Sequence, residues 1–433
     1  MRINISGIGR IGNSEIEIKG ISVIAGKNFT GKSTVGKALY CMFNAFCNAK
    51  TTIRDERINA INRVITHNIP ISRYNLRTAR TANRFISKLI DEVEKTTIDG
   101  ESRDNLHGFI ADEIQQIIDQ QDASRIYDTH DNIVNNIVNN IYDSLGVSDN
   151  ELQKYIIDSY FANEFYGKVN HVDKPDLTGS VSLIIKDKNV SVDISNNKCR
   201  SFVDNVGIWH NAIYIDTPFV IDDDQQLFLR HSSARYSRKM NHRGDLRRRL
   251  AKGFSNNTAI EEVIVNKKIS DVLSKIHPIV SGEFVEDRDG LMFKEKSLVK
   301  PLPLSIMSAG IKTFLIIKRL LELGGIKEHD VLIFDEPENH LHPAWQLGFA
   351  ELLVLMQKEF NLTILLATHS PYFLNAIEAY SEKHGIKEER VKFYLAENNG
   401  DTSDVRDVTD NVDVIYKQLA EPLRILDDME YGD

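Results

Sequence analysis

The chain has 433 residues, 42% of them hydrophobic and 27% charged, with a formal net charge of −9 at pH 7. That length holds one large domain or two or three of ordinary size, and the balance is that of a soluble globular protein. The acidic excess argues against wholesale coating of nucleic acid, though not against a local basic patch.

The three cysteines, Cys41, Cys47 and Cys199, form no C-x-x-C pair, so buried thiols in a reducing cytosol are expected. The first five residues alternate like a strand and show no apolar signal core. No run approaches the roughly 18 apolar residues of a membrane span. A cytoplasmic protein without membrane contact is the expectation.

Residues 1–25 read as a strand, a turn at Gly7-Ile8-Gly9-Arg10 and two more strands. Ile21, Val23, Ile24 and Ala25 form a buried strand, followed at once by G-x-x-x-x-G-K-S from Gly26 to Ser33. A helical pattern (Val35, Ala38, Leu39, Met42) then runs to about residue 48. Strand, glycine loop and helix are the setting of a phosphate-binding loop, whose N–H groups and helix N-terminus converge on an anion. Gly26 and Gly31 let the backbone come close, Lys32 reaches the terminal phosphates, and the Ser33 hydroxyl ligates Mg²⁺. Asn28 and Thr34 complete the expected nucleotide-binding set.

From about 50 to 170 glycine is scarce and apolar residues recur at helical spacing. Ile133, Val134, Ile137, Val138 and Ile141 form one stripe; Ile110, Ile114, Ile117 and Ile118 form another. This reads as an all-helical insertion whose stripes make a bundle core or, less simply, a partner groove. A hairpin is expected around Asp187-Lys188-Asn189, a buried strand within 211–220, a helix over 258–276, and a second hairpin around 287–290. In the last third, helices alternate with the short apolar strands 331–334 and 363–367, which implies a mostly parallel sheet covered on both faces. The chain thus divides into 1–49, 50–170, 171–300 and 301–433, with the first and last segments building one nucleotide-binding domain.

Asp335-Glu336-Pro337 ends the first of these strands, where an open parallel sheet presents its ligands. Asp335 is placed to hold Mg²⁺, and Glu336 to orient and polarise the attacking water. His369 follows the next strand and can hydrogen-bond the γ-phosphate or that water; a turn histidine capping the next helix fits the same position. Ser308-Ala309-Gly310-Ile311-Lys312 opens a helix as a second anion site, and the same residues also fit a plain helix N-cap.

Glycine loop, S-x-G before a helix, acid pair and histidine, in that order, resemble the ABC-type ATPases, and within them the soluble SMC-like and OLD-like branch. The resemblance covers roughly 1–48 and 300–380. It implies an α/β P-loop NTPase fold with antiparallel N-terminal strands, with ATP and Mg²⁺ as cofactors. It also implies a homodimer or higher even oligomer in which Ser308, Gly310 and Lys312 close over nucleotide bound by the other subunit. Asn339 to Pro343 (NHLHP) falls where that family has its D-loop, making His340 and His342 interface residues; a metal site there is the weaker alternative.

The signature lacks the usual double glycine, and Gln225 and Gln226 are weak candidates for a Q-loop. The insertion is too short for a chromosome-structuring coiled coil. Only about sixty residues follow His369, and Asp401, Asp404, Asp407 and Asp410 lie in a loop-like stretch, so a fused Toprim nuclease is not expected. A stand-alone ATPase of this type resembles the ATPase subunit of two-component bacterial antiphage systems such as Septu-like pairs. The function implied is a Mg-ATP-hydrolysing switch, with Lys32, Glu336 and His369 catalytic, that controls a separate nuclease or toxin effector. The competing reading is a repair-type, ATP-dependent nucleic-acid clamp.

That alternative rests on residues 230–252. Arg230, Arg235, Arg238, Lys239, Arg243, Arg247, Arg248, Arg249 and Lys252 are opposed in sequence only by Asp245. Arg77, Arg80 and Arg84 make a second basic face. Nucleic acid, a solvated helix and an acidic dimer surface all fit them.

Overall fold

The computed structural model describes residues 1–68, 84–86, 88, 89, 100–119, 130–171, 174, 176–222, 241–251, 259–287, 290–421, 425 and 429. The chain forms two compact units: 1–47 together with 156–433, and 48–155.

The smaller unit is helical. Its helices α1 (Ala49–Asn68), α2 (Gly100–Asp119) and α3 (His130–Gly146) bury Ile61, Ile65, Ile110, Ile114, Ile117, Val134, Ile137, Val138 and Ile141 in one core. The stripes read from the sequence are therefore spent on a bundle interior, as 3.6-residue periodicity dictates. The side chains of Ile118 and Ile133 lie outside the described residues. Helix α4 (Asp149–Glu164) begins in this unit, and its half from Ile156 onward belongs to the larger one.

The larger unit is built on an eleven-stranded sheet in the order β6-β5-β4-β1-β2-β14-β13-β3-β12-β11-β7. Five strands are parallel neighbours: β13 (Val391–Asn399), β3 (Ile21–Gly26), β12 (Thr363–Thr368), β11 (Val331–Asp335) and β7 (Ala212–Ile215). Their sequences are nearly unbroken apolar runs because helices cover both faces. Register brings Ala25 opposite Thr368, Ala367 opposite Asp335 and Phe334 opposite Ile215, so the functional ends of four strands share one edge.

The antiparallel wing is larger than the sequence suggests. β1 (Arg2–Ile8) pairs with β2 (Ile11–Glu17) and also with β4 (Gly179–Ile185). β5 (Lys188–Ser195) and β6 (Lys198–Asp204) continue outward from β4. The β4–β5 turn falls at Lys186-Asp187, both at positive φ (48° and 64°), which gives the primed turn that matches strand twist. β14 (Thr402–Asp407) forms a hairpin with β13. This corrects the loop-like reading of the acidic tail: Asp404 and Asp407 are on a strand. Asp404 accepts from the Asn399 amide at 3.0 Å, and Asp407 from the Thr409 N–H at 2.8 Å.

A separate three-stranded sheet joins β8 (Gly282–Asp287), β9 (Gly290–Glu295) and β10 (Leu302–Pro303). Helices α5 (Lys32–Phe46), α6 (His242–Ala251), α7 (Ala259–Ile276), α8 (Ala309–Glu322), α9 (Pro343–Phe360) and α10 (Pro371–Lys383) complete the part that bears on the site. Phe314, Phe334, Phe349 and Phe373, each with no exposed surface, stack from α8 across β11 and α9 to α10. No helix among the described residues is long and apolar enough to cross a membrane.

Candidate active site

β3 ends at Gly26 and α5 begins at Lys32, leaving 27–31 as the loop between them. Gly26 is required by its neighbours and Gly31 by its backbone. A Cβ at Gly26 would lie 2.3 Å from the Ala396 carbonyl of β13, and one at Gly31, left-handed at φ 81°, would lie 2.4 Å from Ile11 Cδ1. The loop opens on a cavity of about 470 Å³ lined by 28–34, Arg10 and Glu336. Lys32 is buried, and its ammonium donates to the carbonyls of Gly26 and Lys27, each at 2.8 Å. Burial pushes its pKa down, against the pull of Glu336, Asp335 and Glu338.

Asp335 closes β11 with its carboxylate largely out of water. Tyr214 Oη donates to its Oδ2 at 2.9 Å, while Oδ1 is buried and has no hydrogen-bond partner among the described residues. Burial raises its pKa; the Ser33 hydroxyl and the Tyr214 phenol pull the other way, and Glu336 and Asp216 add to the rise. A buried carboxylate oxygen without a donor, beside a serine hydroxyl, is an oxygen donor set that fits a hard divalent cation.

Glu336 stands at φ 50°, unusual for a residue with a Cβ, and its N–H bonds the Ala367 carbonyl at 2.8 Å. Its Oε1 lies 3.1 Å from His369 Nδ1, and its Oε2 accepts from the Asn339 amide at 2.7 Å. Glu338, which the sequence reading did not single out, is buried. It accepts from the Thr368 hydroxyl, and from the His369 N–H at 3.3 Å. Burial raises the pKa of its carboxyl, partly offset by the Thr368 hydroxyl.

The fold thus brings Gly26, Asn28, Gly31, Lys32, Ser33, Thr34, Asp335, Glu336 and His369 to one edge. Ser308 and Gly310 are not at this cavity. Ser308 is the exposed N-cap residue of α8 and makes no side-chain cap bond. Gly310 is buried, where a Cβ would come 2.8 Å from the His340 carbonyl and 3.2 Å from the Trp345 ring. Lys312 is a correction to the sequence reading. It is 2% exposed, 2.7 Å from the Asp222 carboxylate and 3.0 Å from the Ser305 carbonyl, so it is not presented to a second subunit. His340 packs edge-to-face on Phe219, and His342 caps α9 by accepting the Ala344 N–H. Among the described residues no group of three or more metal-ligating side chains assembles, there or elsewhere.

The basic stretch is also corrected where it is described. Arg243 makes a two-pronged contact with Asp216, at 2.9 and 2.6 Å. Arg248 and Arg249 pair with Asp245 at 2.7 and 2.8 Å, and Arg249 is buried. Arg243 is thus matched by Asp216 from elsewhere in the fold, while Arg248 and Arg249 share Asp245 within the stretch itself. Arg230, Arg235, Arg238, Lys239 and Lys252, together with Gln225, Gln226, Arg77 and Arg80, lie outside the described residues.

Sequence reading missed Arg10, Tyr214 and Glu338. Arg10 sits in the β1–β2 turn, lines the cavity, and has a buried Nε with no hydrogen-bond partner among the described residues. Its only local signal was its place next to Gly9.

A phosphate loop after β3, an acid pair ending β11 and a histidine after the intervening β12 define an α/β P-loop NTPase of ABC-ATPase type. Residues 158–375 match the family described as "AAA domain, putative AbiEii toxin, Type IV TA system"; that is half of the chain, and the chain belongs to this family. The matched stretch contains the acid pair and His369 but not the phosphate loop. Over 82 residues the chain is 35% identical to "Putative ABC transporter ATP-binding protein" of Methanosarcina acetivorans, covering 17% of this chain and a quarter (25%) of that protein's length. Among solved structures it overlaps the SMC head domain from Thermotoga maritima (10% identity, 94% of this chain and 98% of that one, TM-score 0.37). It also overlaps an SmcHead bound to the C-winged helix domain of ScpA (11%, 94% and 96%, TM-score 0.42).

Proposed function

We propose that the protein hydrolyses Mg-ATP and uses the cycle as a switch on a separate effector, a nuclease or toxin acting in phage defence. The carrying observation is the convergence of Lys32, Ser33, Asp335, Glu336 and His369 on the edge of one parallel sheet. The loop N–H groups and Lys32 hold the phosphates. Ser33 and Asp335 would hold Mg²⁺, which would supply charge neutralisation at the phosphates. Glu336, fixed by Asn339 and 3.1 Å from His369, orients the water and accepts its proton. Arg10, which lines the same cavity, adds a guanidinium to it. Ser308, exposed and uncapped, serves a second subunit's nucleotide. The family's description, "putative AbiEii toxin, Type IV TA system", supports a toxin-system setting, while the separate effector rests on the resemblance alone. The clamp reading loses Arg243, Arg248 and Arg249 to internal ion pairs.

Glu336→Gln tests this. The variant should bind ATP, turn it over at least ~100-fold more slowly, and accumulate as a dimer by light scattering. Adding Ser308→Arg to it should abolish the dimer and leave nucleotide binding intact. Turnover by Glu336→Gln at the parent rate refutes the assignment of the base.

A further inference from the structure

Tyr214 belongs to no motif, yet its phenol reaches the centre of the site. It lies on β7, opposite Ile333 of β11, two residues before Asp335. The ring is 1% exposed, and the hydroxyl donates to Asp335 Oδ2 at 2.9 Å. Helix α5 packs against this pair at Gly36, where a Cβ would sit 3.0 Å from Ile333 Cγ2 and in ordinary contact, 3.5 Å, with the Tyr214 hydroxyl.

The other face of the ring is clamped. His242 stacks on it with centroids 4.4 Å apart and planes 28° apart. His242 is itself held through Nδ1, 2.6 Å from Glu164 Oε2, while its Nε2 lies 3.0 Å from Asp216 Oδ2 as an ion-pair contact without hydrogen-bond geometry. Rotation of an aspartate about its last torsion is soft, so a carboxylate with two uncommitted oxygens points its charge loosely. Here one oxygen is pinned, and the buried Oδ1 is left without a donor.

We infer that Tyr214, its ring fixed by His242, is a positioning residue that pins Asp335 Oδ2 and thereby aims Oδ1 at the divalent cation. The inference rests on the Mg-nucleotide reading of the site. A phenol that merely satisfied its own hydroxyl in the core would affect stability and leave metal affinity alone. Partners of metal ligands typically change metal affinity about 10- to 100-fold when removed.

Tyr214→Phe keeps the ring and its stacking and removes only the hydrogen bond. Two titrations read the result. One is Mn²⁺ binding by electron paramagnetic resonance, with the protein saturated in a non-hydrolysable ATP analogue. The other is binding of a fluorescent ATP analogue without metal. The variant should bind Mn²⁺ about 10- to 100-fold more weakly, with metal-free nucleotide affinity unchanged. Equal Mn²⁺ affinity in variant and parent overturns the inference. A parent that binds no Mn²⁺ with nucleotide refutes the Mg-nucleotide reading itself, and the inference with it. If Tyr214→Phe does not fold, His242→Asn keeps the phenol and frees the ring. A roughly 3- to 10-fold loss of Mn²⁺ affinity is then expected, and no loss overturns the clamp.

Discussion

Glu336 occupies left-handed backbone space at φ 50°, which costs a residue with a side chain about 1–2 kcal/mol. The neighbours that hold it there are named: the Ala367 carbonyl on its N–H, the Asn339 amide on one oxygen, His369 beside the other. His369 in turn depends on Glu338, whose Oε1 receives both the Thr368 hydroxyl and the His369 N–H. Thr368 has no exposed surface, so water cannot replace that acceptor. Glu338→Ala should therefore leave a buried hydroxyl unsatisfied and cost roughly 2–4 kcal/mol, the desolvation of the orphaned donor plus the void. Urea unfolding checks the magnitude. A loss below about 0.5 kcal/mol, within the noise of a surface change, means Glu338 does not support the strand end that carries His369.

At the scale of elements, α8 and the turn before α9 behave as one piece because Gly310 permits their contact. Alanine is the better helix former by about 1 kcal/mol, so propensity alone predicts that Gly310→Ala stabilises. The geometry predicts the reverse. The new methyl would press on the His340 carbonyl and the Trp345 ring, and a backbone oxygen cannot step aside as a side-chain end can. Overpacking of this kind costs about 1–3 kcal/mol, so a lower melting temperature is expected, and an unchanged or higher one refutes the packing account. Elements that carry strong periodicity were legible in the sequence: β3, α5, β11, β12 and the stripes of α2 and α3. β6 and β14 were not. β6 is mostly exposed, and β14 (TSDVRD) buries alternate residues of which one, Ser403, is polar, so neither shows the apolar alternation by which a half-buried strand is read.

At the scale of the whole molecule the same contrast holds for the site. Lys32, Ser33, Asp335, Glu336 and His369 were legible because each sits in a short motif whose order is informative. Tyr214 and Asp335 lie 121 residues apart, and Glu164 and His242 lie 78 apart. Such pairs have no local signature and exist only once the sheet is closed. The buried cluster they form also makes stability depend on pH. Burial alone would lower the pKa of His242, but the carboxylates of Asp216 and Glu164 beside its two ring nitrogens raise it from 6.5 to about 9. Burial alone would raise that of Asp216, but His242 and Arg243 bring it from 3.8 down to about 2. The two shifts describe one shared interaction and are not summed. Below pH 6.5 the imidazole is charged in both folded and unfolded chains, and its contribution is complete. Between 6.5 and 9 only the folded chain keeps the proton, so unfolding becomes easier by up to roughly 3 kcal/mol as pH rises through that window. On the acid side the Asp216 contribution is lost only as pH falls below 3.8 towards 2. His210, raised by Asp330, slopes the same way, but it is partly exposed and screened. Urea midpoints at pH 6.5 and 9 for the parent and for His242→Gln separate the two histidines. The variant should be the less stable protein at pH 6.5 and lose most of the parent's decline towards pH 9. An undiminished decline in the variant would show that His242 is not the group that holds the proton.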